Sequence, residues 1–175
     1  MPDLSGKRVL MVIAREKFRD EELLEPKAIL EGAGATVTIA SSSLAEATGM
    51  LGATVKPDVL LADVSADDYH AVVFVGGSGA SEYFDNPTAH TLARAAAQQG
   101  KVLAAICIAA STLANAGVLQ GKRVTCWSSE ADNLKAKGAQ YTGNPVERDG
   151  FIITSEGPQA ARQFGEALAE ALAGQ

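Results

Sequence analysis

Two runs without a single polar side chain constrain this chain more than anything else in it. Val9-Leu10-Met11-Val12-Ile13-Ala14 is one, and Val102-Leu103-Ala104-Ala105-Ile106 is the other. A strand with one wet face alternates apolar and polar residues, so unbroken runs of this length read as strands buried on both faces. Helices packed on either side of a sheet bury strands in that way. The segments between supply those helices. Residues 21–32 read as a helix with Asp20 as N-cap and Gly32 or Gly34 as its end. Asn86-Pro87 opens a second helix that Gly100 stops, and residues 109–116 form a third, closed by Gly117.

Thr36-Val37-Thr38-Ile39-Ala40 and Ala71-Val72-Val73-Phe74-Val75 are further strands, the latter ending at Gly76-Gly77. Strand and helix alternating through such short joints are the mark of parallel βαβ units with right-handed crossovers. Residues 50–63 are less regular and predict a hairpin or arm. Arg148-Asp149-Gly150 is a turn between two short strands, and a last Ala-rich helix covers residues 158–173. The fold class is α/β with a mainly parallel central sheet. At 175 residues without a linker or repeat, residues 1–175 read as a single domain.

Composition narrows the function. Hydrophobic residues at 47% exclude disorder as the main state. Asp and Glu number 21 against 15 Lys and Arg, a net charge of −6 with no basic stripe, which argues against nucleic acid as a partner. Two cysteines are too few for a disulfide scaffold. The opening residues carry no export signal, and the first apolar run is too short to span a bilayer, so the expectation is a cytoplasmic protein without a membrane partner.

In an open parallel sheet, reactive groups belong at the carboxyl edge, where strands hand over to helices. That selects four joints: residues 15–22, 76–81, 107–110 and 126–130. Cys107 stands directly between an apolar strand and a helix, the setting of a nucleophile elbow, and the helix amino terminus behind it favours thiolate. A buried structural cysteine is the plainer alternative. Glu22 sits among acids at a helix start, where it could simply complement the dipole. Pro26, however, removes the N–H that would bond the carbonyl of residue 22, and the flanking Leu23 and Leu24 allow the carboxyl to turn inward.

Gly76-Gly77-Ser78-Gly79 lacks the residues of a phosphate loop and suits exposed backbone amides facing the elbow, or a plain turn. Cys126 reads as the end of a strand beside Trp127, for packing or for lining the site. His70 falls at the amino end of a strand and His90 inside a helix. Neither has a partner at metal-ligand spacing, so no metal or other cofactor is expected.

Taken in order, Phe18-Arg19-Asp20-Glu21-Glu22-Leu23-Leu24-Glu25-Pro26, Val73-Phe74-Val75-Gly76-Gly77, Ala104-Ala105-Ile106-Cys107, Leu113-Ala114-Asn115-Ala116-Gly117-Val118-Leu119-Gln120-Gly121 and Thr154-Ser155-Glu156-Gly157-Pro158 resemble the DJ-1/PfpI superfamily, of the class I glutamine amidotransferase type. The resemblance implies a flavodoxin-like three-layer sandwich and an elbow cysteine at Cys107. It also implies a partner acid at Glu22, oxyanion-type amides at Gly77 and Ile108, and a homodimer or larger homo-oligomer. Gly76, Cys126 and Trp127 are expected to line the pocket. The roles it implies are diverse: peptidase or amidase, glyoxalase or deglycase, isocyanide hydration, chaperone activity and oxidative-stress response.

Peptidase-like members carry His directly after the cysteine, where this chain has Ile108. Another branch has a His about twenty residues further on, where this chain has Cys126-Trp127-Ser128. Without either, no Cys-His dyad forms from these positions, and peptide hydrolysis loses its leaving-group acid. The expected partner is then a small electrophilic carbonyl-type substrate in stress protection. An oxidant that converts Cys107 to a sulfinate is the alternative. For either, the expectation is a proton shared between a neutral Glu22 and an ionised Cys107.

Overall fold

The computed structural model describes residues 2–175. In chain order its elements are β1 (Arg8–Val12), α1 (Asp20–Gly32), β2 (Thr36–Ser41), β3 (Ala47–Thr48), β4 (Thr54–Val55), β5 (Val59–Leu60), β6 (Ala71–Phe74), α2 (Pro87–Gln98) and β7 (Val102–Ile106). They continue with α3 (Ala110–Asn115), β8 (Arg123–Val124), α4 (Ala131–Ala136), β9 (Gln140–Tyr141), β10 (Val146–Asp149), β11 (Ile152–Ser155) and α5 (Ala161–Ala173). Seven strands form the central sheet in the order β10-β11-β7-β6-β1-β2-β5. Every pairing in it is parallel except β10 with β11, the hairpin expected around Asp149 and Gly150.

The period of two within the apolar runs splits the core into two halves. Val9, Met11 and Ile13 pack with Leu23 and Leu30 of α1 and with Phe164, Leu168 and Leu172 of α5. Leu10 and Val12 point the other way, into a cluster with Leu92 of α2 and Leu113 of α3. The result is the flavodoxin-like three-layer sandwich.

Several local expectations shift. Asp20 is the first residue of α1 rather than its cap. Its carboxylate accepts from the N–H groups of Leu51 and Ala53 at 2.9 and 2.8 Å, so it serves the neighbouring loop and not its own helix. That loop joins β3 and β4, which form the antiparallel hairpin. The hairpin begins at Ala47, before the irregular stretch read from sequence, and β5 at the end of that stretch joins the main sheet. The elbow helix opens with a 3-10 turn, Cys107–Ala109, leaving α3 only six residues long. The last helix likewise begins as a 3-10 turn, Pro158–Ala160. Cys126 lies in the loop beyond β8 instead of ending a strand.

Helix α1 runs through Pro26 without a break, and that proline is the point where α5 crosses closely. A side chain at Gly165 would place its Cβ 2.8 Å from Ile29 Cδ1 and 2.9 Å from Pro26 Cα, tighter than packed atoms tolerate. The contact holds α1 in place, and α1 carries Glu22. Gly165→Val should therefore cost about 1–3 kcal/mol through overpacking. The check is the urea midpoint; an unchanged midpoint would show that the two helices can separate freely.

Candidate active site

Strands β1, β6 and β7 are consecutive neighbours in parallel register, so their carboxyl ends open side by side. The segment after β1 leads into α1, Gly76-Gly77 follows β6, and Cys107 follows β7. Topology thus assembles three of the four joints singled out by sequence.

Cys107 has φ of 66°, one of two non-glycine residues described with positive φ, the other being Lys17. A left-handed conformation at a side-chain-bearing residue costs about 1–3 kcal/mol and persists only where its surroundings enforce it. Here a fully buried β7 fixes the residues before, and the Trp127 N–H donates to the Cys107 carbonyl at 3.2 Å. The turn swings the thiol to the sheet edge, where Cys107 remains only 8% exposed.

Glu22 is completely buried, and neither carboxyl oxygen has a well-formed hydrogen bond. Its near neighbours are the Cys107 thiol and the Gly76 N–H. Gly76 is the floor that lets the acid and the cysteine meet: a Cβ there would run into Glu22 Oε1 and stand 2.6 Å from Cys107 Cβ. Gly77 adopts φ of 105°, and a Cβ on it would stand 2.6 Å from the Phe18 carbonyl carbon, so the position is closed to side chains twice over. Its N–H and that of Ile108 both face the thiol.

Burial pushes the Glu22 carboxyl up to about 8, so it is protonated at neutral pH. Burial, joined by the nearby Glu22, pushes the Cys107 thiol up to about 12 against the downward pull of the Ile108 and Gly77 amides. The thiol differs from the sequence-based expectation of an ionised Cys107. The reason is physical: the supporting helix is a 3-10 turn and six residues, a small dipole, while desolvation is nearly complete.

A cavity of about 390 Å³ opens over the pair. Met50, Ile108, Trp127 and Pro158 give it apolar walls, and Arg19, Ser78, Ser129 and Glu130 add polar ones. The Arg19 guanidinium is engaged by Glu21 through two contacts of 3.0 and 3.1 Å. Past Met50 and Ser78 the cavity adjoins a wider groove of about 950 Å³, lined by Arg15, Glu16, Lys17 and Glu46.

Of the residues expected at the pocket, Cys107, Glu22, Gly77, Ile108 and Trp127 come together on this cavity. Gly76 lies beneath the pair instead of on the wall. Cys126 is a correction: it is buried and opens onto a separate cavity of about 320 Å³ with Tyr141, Glu156 and Gln159, behind Trp127. His70 accepts the Arg8 N–H at Nδ1 on the opposite edge of the sheet, and His90 pairs through Nε2 with the Phe84 carbonyl. Among the described residues, no three His, Cys, Asp or Glu side chains gather as a metal site, and no helix is long and apolar enough to cross a membrane.

Sequence reasoning did not single out Arg19, Met50, Ser78, Ser129, Glu130 or Pro158. Four of these lie in the joints it selected. Met50 comes from the hairpin, for which no local signal pointed to the site.

The DJ-1/PfpI family model matches residues 7–171. The chain belongs to the DJ-1/PfpI family. An uncharacterised protein of Methanocaldococcus jannaschii is 40% identical over 97% of this chain and 84% of its own. A deglycase of Pyrococcus abyssi is 30% identical over 85% of this chain and 90% of its own. The crystal structure of a ThiJ/PfpI domain protein from Brachyspira murdochii superimposes with a TM-score of 0.94 at 30% identity, covering 100% of this chain and 99% of that one.

The raised Glu22 carboxyl has a thermodynamic consequence. Unfolded, the group loses its proton near the ordinary carboxyl value of about 4.3; folded, near 8. The folded state therefore holds the extra proton between those values, and the stability this contributes is lost as pH rises through the window. Urea midpoints should fall from pH 5 to pH 8 in the natural protein and fall less in Glu22→Gln. Parallel pH profiles for the two proteins would show that Glu22 titrates normally.

Proposed function

We propose that this protein is a cysteine-dependent enzyme acting on small electrophilic carbonyl compounds, of the glyoxalase or deglycase kind, in protection against carbonyl stress. The observation that carries the reading is the isolated pair of Cys107 and Glu22 under a small, largely apolar cavity, with two backbone amides facing the sulfur and no histidine on the wall. The deglycase name of the Pyrococcus abyssi relative supports the same reading.

A buried thiol becomes a nucleophile when an adjacent base takes its proton. In its ionised form Glu22 is that base. For an α-oxoaldehyde, Sγ bonds to the aldehyde carbon as the thiol proton passes to Glu22, and the oxygen becomes an alkoxide. The Gly77 and Ile108 N–H groups are aimed to stabilise that charge. Glu22 returns the proton to the oxygen, giving a hemithioacetal. It then removes the hydrogen from the same carbon, and reprotonation at the neighbouring carbon gives a thioester. Water releases the 2-hydroxy acid, so the net change is addition of one water to the dicarbonyl. No amine leaving group needs protonating, which suits a site without histidine.

The oxidation-sensing alternative fits less well. Sensor cysteines are accessible, acidic thiols, whereas Cys107 is 8% exposed and its thiol is pushed up.

With methylglyoxal as substrate, Cys107→Ser should abolish lactate formation, and Glu22→Gln should lower kcat/KM by about 10²–10⁴-fold, the usual worth of a positioned base. Activity should climb toward pH 8 as Glu22 ionises. Turnover that survives Cys107→Ser would remove the reading.

A homodimer is part of this proposal. Met50 and Leu51 at the hairpin tip are large apolar residues, 44% and 64% exposed, and self-association would cover them. Sedimentation at micromolar concentration should show a species heavier than 18.0 kDa; a lone monomer counts against it.

A further inference from the structure

Glu130 stands on the wall of the Cys107 cavity and takes no part in the chemistry above. It is nevertheless held firmly. Ser111, 1% exposed, donates its hydroxyl to Glu130 Oε1 at 2.6 Å. That hydroxyl is oriented in turn, because it accepts from Asn133 Nδ2 at 3.1 Å, and Asn133 also donates to Asn115 Oδ1 at 3.0 Å. The Ser129 hydroxyl reaches Oε2 at 2.8 Å. A chain of side chains from α3 and α4 therefore aims this carboxylate.

All of these partners are neutral. Among the described residues, the ion pairs are Arg19 with Glu21, Lys27 with Glu31, Arg123 with Glu147 and Arg162 with Glu166, so none of them involves Glu130. The other charged groups on the wall do not balance it either. Arg19 is engaged by Glu21, and Glu22 is protonated at neutral pH. A carboxylate offers about four acceptor positions, and the two serines use two of them. What remains is an oriented carboxylate, without a direct ion-pair partner among the described residues, on the wall of a small cavity.

The neighbouring Trp127 points to the same ligand chemistry. Its indole abuts Gly157, where an added Cβ would stand 2.9 Å from Trp127 Cε3, while the residue as a whole is 40% exposed. A flat cation such as guanidinium pairs with a carboxylate through two N–H groups and stacks on an aromatic face.

We infer that Glu130 is the specificity-determining residue of this cavity, selecting carbonyl adducts whose amine portion carries a guanidinium and rejecting carboxylates. The inference rests on the reading of Cys107 as a carbonyl nucleophile. For a carbinolamine of an α-oxoaldehyde, the Sγ–C bond forms as the C–N bond breaks. The departing nitrogen takes the proton released by the thiol, through Glu22. The amine is regenerated, and the carbon skeleton is left as the same hemithioacetal reached from the free aldehyde. Glu130 holds the amine half during that exchange.

Binding can be read without chemistry, because Trp127 is the only tryptophan in the chain. In Cys107→Ser protein, its fluorescence is titrated with Nα-acetylarginine amide and with Nα-acetylcitrulline amide, which has a closely similar shape and no charge. The arginine compound should bind at least tenfold more tightly. Adding Glu130→Gln should bring that ratio close to one, and adding Ser111→Ala should give an intermediate ratio, with circular dichroism checking the fold of both. Equal binding of the two ligands, no saturation with either, or a ratio that persists in Glu130→Gln overturns the inference. Methylglyoxal turnover that survives Cys107→Ser would instead remove the carbonyl reading and leave the binding ratio standing.

Discussion

The site depends on one strained residue and the two glycines opposite it. Cys107 can hold φ of 66° because β7 is buried along its whole length and cannot yield, and because the Trp127 loop is hydrogen-bonded to the far side of the turn. Gly76 and Gly77 admit what that turn presents. Without a side chain at 76 the Glu22 carboxyl reaches the cysteine, and without one at 77 the backbone of residues 17–19 closes over the strand ends. The packed core provides the rigidity that the left-handed turn consumes.

Electrostatics at the pair follow from the same packing. Two acidic groups share a desolvated space with few donors, so both favour their protonated forms and only one charge is readily accommodated at a time. A group that titrates near 8 next to a reluctant thiol suits transient proton transfer better than permanent ionisation. The absence of His at position 108 and around position 127 reinforces this, since the one cation on the cavity wall, Arg19, is engaged by Glu21. Selectivity is built separately from reactivity: Glu130 belongs to the α3–α4 hydrogen-bond chain, whereas Glu22 is held by the α1–α5 contact.

Much of this was legible in the residues. Apolar runs at 9–14 and 102–106, the proline and glycine punctuation of α2, and the turn at Gly150 are local signals, because burial on both faces and backbone stereochemistry act on a few consecutive residues. They sufficed for the α/β class, and the family motifs added the flavodoxin-like arrangement. The joints after β1, β6 and β7 followed from the rule that sites lie at the carboxyl edge. Asp20 was misread because an acid at a helix start usually caps that helix. Here the hairpin at residues 47–55 offered it two N–H groups instead. Of the two roles open to Cys126, packing and lining the site, the loop after β8 chose packing: its neighbour Trp127 reaches the cavity while the cysteine is buried away from it.

The sequence by itself determined six of the seven strands of the central sheet, most of the helices and the cysteine at the strand–helix joint, since each depends on residue type and short-range spacing. The family motifs implied Glu22, 85 positions before Cys107, as its partner acid, but tertiary structure alone decided that the thiol is desolvated and that Ser111, Asn133 and Glu130 form one chain. Those facts depend on which strands are adjacent in space and on how closely helices cross. Both are set by packing between segments far apart in the chain, and no local pattern carries them.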